Sequence, residues 1–166
     1  MKRFLAIILV AMALASCKPI QEQINVNDWS IESLDGLSLA QKQLKLGTSL
    51  TLDADNASCQ DISISKLFAE VFNKNGKRVA TIELGGEKGD PNPTLHRRTS
   101  EKVTVPLLVG FDNPLSAITL ASMSIEEYAE KGYTVTYDCT LKAGIFSKRF
   151  RDANVPVATL VKMFEK

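Results

Sequence analysis

The chain has 166 residues, 20 of them Lys or Arg and 19 Asp or Glu, with 45% hydrophobic residues and a formal net charge of +1. This length suits one domain with its own core. The near-neutral balance, with charges of both signs interspersed, argues against a nucleic-acid partner, which wants a strongly basic face.

The first element, MKRFLAIILVAMALASC, has the three parts of a secretory signal peptide. Lys2 and Arg3 form a positive start, and Phe4 to Ala15 is uncharged and apolar. That run is shorter than the roughly 20 residues needed to cross a bilayer as a helix. Leu14, Ala15, Ser16 and Cys17 close it. This ending resembles the lipobox of bacterial lipoproteins: Leu at −3, small residues at −2 and −1, and Cys at +1. The resemblance implies that Cys17 carries diacylglycerol on its sulfur and becomes the first residue after cleavage. Small residues let the peptidase reach the backbone, and only a nucleophilic side chain can take the lipid. Several acyl chains, at about 0.8 kcal/mol per buried CH₂, hold far better than one. Lys18, where Asp often marks inner-membrane retention in that family, implies the outer membrane. The expected organisation is therefore a signal peptide over 1–16, a short tether over 17–23 with a lipidated Cys17, and a β domain over 24–166.

Period-two alternation dominates the domain. In LKLGTSLTLDADN, Leu44, Leu46, Leu50, Leu52 and Ala54 share one face, and Lys45, Ser49, Thr51, Asp53 and Asp55 share the other. Such alternation marks half-buried antiparallel strands. Upstream, NVNDWSIESLDGLSL supplies one or two more, with Trp29 and Ile31 inward. ISISKLFAEVFNKNGKRVATIEL reads as a hairpin, with a type I′ turn at Asn75-Gly76 and a bulge near Lys66, where the apolar phase slips. In EKVTVPLLVG, Val103, Val105, Leu107 and Val109 face in, and Pro106 predicts an edge strand or a bulge. YTVTYDCTLKAG places Tyr133, Val135, Tyr137, Cys139 and Leu141 inside and Thr134, Thr136, Asp138, Thr140 and Lys142 outside. A further hairpin turns at Ala143-Gly144. DNPLSAITLASMS and SIEEYAEKG predict one broken helix or two short ones, with a Ser124/Glu127 capping box and a stop at Gly132. NVPVATLVKMFEK puts Val157, Leu160, Val161 and Phe164 on one stripe of a terminal helix, with Pro156 in its first turn.

Strands at this spacing predict a two-sheet antiparallel sandwich. The order of VNDWSIESLDGLSL, SLTLDADNASCQDISISKLFAEVFNKNGKRVATIEL, KVTVPLLVG and YTVTYDCTLKAG is similar to the type-2 late-embryogenesis-abundant family, also called the water-stress and hypersensitive-response domain. The likeness runs over residues 25–142, with Asn56 and Ser58 in the loop and Ala57 where that family commonly has Pro. It implies an immunoglobulin-like or fibronectin-like sandwich with one or two short helices, and it brings no catalytic residues.

No constellation for catalysis emerges. His96 is the only histidine, and Arg97 and Arg98 beside it disfavour the imidazolium that a triad base must become. Metal and cofactor are therefore expected to be absent, and the chain is read as non-enzymatic. DADNASCQD has the flavour of a calcium loop, but it lacks Gly at the sixth position and has Ile64 at the twelfth. ELGGEKGDPNPTLHRR, broken by Gly85, Gly86, Gly89, Pro91 and Pro93, reads as a connection between sheets. Lys148, Arg149 and Arg151, with Arg97 and Arg98, form either a solvated strand face or a contact for anionic lipid headgroups. Cys59 and Cys139 either pair as a disulfide or stay free, since sequence supplies no Cα separation. The expected partners are the membrane, through Cys17, and an envelope protein. A lipid or other apolar ligand in a cleft of the sandwich is the alternative.

Overall fold

The computed structural model describes residues 24–31, 44–86 and 90–162. Among the described residues eight strands follow one another: β1 (Ile24–Ile31), β2 (Leu44–Asn56), β3 (Ile62–Phe72), β4 (Arg78–Leu84), β5 (Thr94–Leu95), β6 (Thr99–Phe111), β7 (Thr134–Ala143) and β8 (Phe146–Pro156). Among the described residues the helices are short: α1 (Pro114–Ser122), α2 (Ile125–Glu130) and α3 (Val157–Lys162). The expected segments of the signal peptide and tether, with Cys17, lie outside the described residues.

All pairings are antiparallel, along the path β1-β2-β6-β4-β3-β7-β8, with β5 added to β3. The predicted alternation holds: Leu46, Leu50 and Ala54 of β2, Val105, Leu107 and Val109 of β6, and Val135, Tyr137, Cys139 and Leu141 of β7 are buried. Apart from Ala54, these side chains join Leu67, Ala69 and Val71 of β3 in one cluster, so the two halves of the sheet face each other across a common core. The arrangement is mainly β and sandwich-like. Its halves are not separate sheets, because β4 hydrogen-bonds to both β6 and β3 and carries the ladder around the turn. The facing of Trp29 and Ile31 lies outside the described side chains.

Three local expectations need correction. First, β6 is central, flanked by β2 and β4, despite Pro106. A strand residue turns its N–H and C=O toward the same neighbour. The Pro106 carbonyl accepts from Gly85 N at 2.8 Å, one residue past the last β4 pairing, Leu84 with Leu107. The missing donor therefore falls where that ladder has ended, and the β2 register runs through without a bulge. Second, the β3–β4 turn is not type I′. Only Gly76 has positive φ (+70°), Gly76 N donates to Asn73 O at 2.9 Å, and the Asn73 side chain accepts from Asn75 N and Lys77 N, each at 3.0 Å. The extra residue is absorbed by a register shift at Val71/Phe72, as in a turn closed by a glycine bulge. Third, Asp138 lies on the outward face but is only 9% exposed, for a reason given below.

The bulge near Lys66 is present, between Ile64 and Lys66. The helical segment divides in two at Met123-Ser124. Asn113 caps α1 by accepting from Ser116 N at 2.7 Å, with Pro114 entering the first turn. Ser124 and Glu127 form the predicted capping box, at 3.3 and 2.6 Å, and Gly132 (φ +70°) closes α2's end. Tyr128, wholly buried, donates its hydroxyl to Leu120 O and packs edge-on against Tyr133, with ring centroids 5.2 Å apart. These contacts tie both helices to the core, and α3 packs on α2 and sends Val157 and Leu160, each 1% exposed, into the core cluster.

The result has two distinct ends. One gathers the helices, the Asn73–Gly76 turn, the start of β4 and the end of β6. The other gathers the start of β1, the β2–β3 loop, β5 and the β7–β8 hairpin tip.

Candidate functional site

The loop end is organised by Asn56, which is 1% exposed. Its amide nitrogen donates to Gln60 O at 2.9 Å and to Leu95 O at 3.2 Å. Its Oδ1 accepts from Ser58 N at 3.0 Å and from Ser58 Oγ at 2.6 Å. One side chain thus holds the end of β2, the loop and β5 together. The segment with calcium-loop flavour uses its polar groups this way: Asp61 accepts from Arg97 N at 2.8 Å, and among the described residues no group of three ligating side chains is gathered.

Ile62 pairs with Leu95 on one side and Ala143 on the other, so the Arg97-Arg98 loop and the β7–β8 tip lie about 10 Å apart, two strand spacings. The tip is a two-residue turn, Gly144-Ile145, with Gly144 at φ +57° against the Gln60 side chain. Ile145 is 93% exposed and Phe146 65%. Lys142 and Lys148 are exposed beside them, as are Arg97 and Arg98. Lys148 Nζ sits 5.4 Å from the centre of the Phe150 ring.

Arg149, expected in an open basic cluster, is instead committed to Asp138. Its Nε and Nη2 donate to the two carboxylate oxygens at 2.7 and 2.5 Å, and Lys66 Nζ adds a third contact at 2.5 Å. These cations close over Asp138 and explain its burial on an outward face. The paired Arg149, then Lys66, hold the Asp138 carboxyl well below the usual carboxylate range.

His96 is exposed and faces Glu101, with Nδ1 2.9 Å from Oε1. Glu101 also accepts from the His96 backbone N–H, and that bond leads in holding its carboxyl below the usual range.

Cys59 and Cys139 are both free, so the pairing left open by sequence is not made. Cys59 is exposed on the β2–β3 loop, while Cys139 points into the core at 3% exposure. Burial, with Asp138 adjacent, pushes the Cys139 thiol up to about 12. A water-soluble thiol reagent is therefore expected to modify Cys59 in the folded, non-reduced protein and Cys139 only after unfolding. Mass spectrometry of the labelled protein checks this, and a pair that stays unlabelled in denaturant until a reductant is added would contradict it.

A concavity of about 160 Å³ lies on the outer face of β2, β6, β4 and β3, lined by Lys45, Thr81, Glu83 and Arg78 among others. Gly110 forms its floor: a Cβ there would stand 2.7 Å from Thr81 Oγ1. Arg78 is committed to Glu70 at 3.0 Å and to Asp112 at 3.3 Å, which raises its pKa. An incoming anion would have to displace those carboxylates, and apart from Phe68 and Phe111 the lining side chains are polar or charged.

No family model matches the chain, and no curated protein is significantly similar to it. Among solved structures, target SoR45 of the Northeast Structural Genomics Consortium is 18% identical, with 78% of this chain and 86% of that chain covered, at a TM-score of 0.38. A β-glucuronidase of glycoside hydrolase family 2 is 13% identical, with 73% of this chain and 10% of that chain covered, at a TM-score of 0.31. Likenesses of this size carry no argument about fold or activity.

Proposed function

We propose that this chain is a lipid-anchored lipoprotein of the bacterial envelope, held at the outer membrane, whose β domain is a non-enzymatic binding or structural module. The observation that carries the reading is the Leu14-Ala15-Ser16-Cys17 sequence behind a short apolar run. The layout of the domain supports it. β1 starts at Ile24, seven positions after Cys17, so the domain hangs close to its anchor. The resemblance to the type-2 late-embryogenesis-abundant family supports a module without catalytic residues. The polar lining of the outer groove does not favour the apolar-ligand alternative.

In bacteria fed a labelled fatty acid, the native protein is expected to take up label, to begin at Cys17, and to fractionate with the outer membrane. Cys17→Ser should abolish the labelling. A labelled Cys17→Ser protein, or a native protein that retains Met1 and a bare Cys17, overturns the reading.

A further inference from the structure

We infer that the β7–β8 hairpin tip, Ile145-Phe146, inserts into the interface of an anionic bilayer as a second membrane contact beside the lipid anchor. The inference rests on the anchor reading for its geometry and on exposure and charge for its chemistry.

Two large apolar side chains occupy a turn where polar residues are the rule, and both are mostly exposed. The tip stands clear of the core, which the inward residues of β7 and β8 enter only from Leu141 and Phe150 onward. Lys142 and Lys148 flank it on the two strands, and Arg97 and Arg98 lie on the neighbouring loop, all four exposed. Two carboxylates hold this loop, Asp61 on Arg97 N and Glu101 on His96 N, fewer than the four cations named. An apolar point flanked by cations matches a bilayer whose anionic headgroups attract Lys and Arg near the surface. The other exposed apolar pair, Leu115 and Ile118 on α1, lacks these flanking cations. It follows Asp112, and its helix has no basic residue in the last turn.

Chain length decides which end faces the membrane. Seven residues reach at most about 25 Å. Ile24 pairs with Asn56, at the same end as the tip. β2 spans 13 residues, about 43 Å at 3.3 Å per residue, from that end to the helical end. With the helical end against the bilayer, Ile24 would stand further from the surface than the tether reaches. The anchor thus brings the loop end, and with it the tip, to the membrane.

The test uses the full-length protein as made in bacteria, reconstituted into vesicles of phosphatidylglycerol and phosphatidylcholine that carry brominated acyl chains. Phe146→Trp and Leu115→Trp place reporters at the two ends, and the signal of Trp29 is subtracted using the parent protein. The Phe146→Trp reporter is expected to shift to the blue and lose most of its intensity, while the Leu115→Trp reporter keeps its own. The loss should shrink in phosphatidylcholine alone and at high salt. An unquenched Phe146→Trp reporter, quenching at both ends, or equal quenching in both lipid compositions overturns the proposal. The mass of the amino-terminal peptide separates the two claims. A lipidated Cys17 with an unquenched tip ends only the tip contact. A quenched tip with a bare Cys17 ends only the anchor.

Discussion

Replacing Phe111 with alanine is expected to remove about 3–5 kcal/mol of stability, a large share of the ~5–15 kcal/mol typical of a folded domain. Phe111 is 2% exposed and closes β6 where both neighbours end on it, opposite Leu44 of β2 and Ala80 of β4. Its ring packs in the cluster that also receives Ala117, Leu120 and Met123 from the helical segment, so its loss opens a cavity that short helices are poorly placed to fill. A fall in melting temperature of about 10–15 °C is the expected reading, with Phe111→Leu costing less than ~1.5 kcal/mol. A loss for Phe111→Ala below about 1 kcal/mol would show that the helical end is not part of the cooperative core.

Asn56→Ala is expected to cost about 2–3 kcal/mol, because it leaves the buried Leu95 carbonyl and the Ser58 amide without their partner and takes from the Gln60 carbonyl one of its two donors, the other being Ser58 Oγ. A lower urea midpoint with an unchanged slope, together with faster amide exchange over 57–61 and 94–98, would report it. Asn56→Asp sharpens the test. It keeps the Ser58 acceptor but turns an oxygen toward two carbonyls, which favours the protonated acid in the folded state. The folded pKa then lies above the unfolded one, so the variant is most stable below the ordinary carboxylate range and weakens as pH rises through the folded value. A pH-independent difference from the parent would contradict this account of the node.

How far the sequence reveals this molecule depends on the range of the interaction. Alternation in β2, β6 and β7 is legible because each strand buries one face, and period two is a local property. The Ser124/Glu127 cap and the slip at Lys66 are local as well, and both stand where the spacing puts them. Pro106 misleads because what matters is where the neighbouring β4 ladder stops, which no local pattern carries. Asn75-Gly76 misleads because the Asn73 side chain selects a different turn. Asp138 reads as an outward polar position and is one, but Lys66 and Arg149, 72 and 11 positions away, close over it. Asn56 appears in sequence only as a loop residue, and its role depends on Leu95, 39 positions on. Ile145-Phe146 could have been singled out from sequence alone, as two large apolar residues directly after an Ala-Gly turn.

The strand path ends at β8, and that rim is badly shaped for company. Between Val135 and Tyr137 the pairing slips, and Asn154, at φ +56°, buckles the outer strand. A foreign strand arriving there would need a straight row of amides and carbonyls, but it meets a kink and the exposed Arg151. The protein is thereby guarded against zipping onto its own copies, a hazard for any β chain crowded onto a surface.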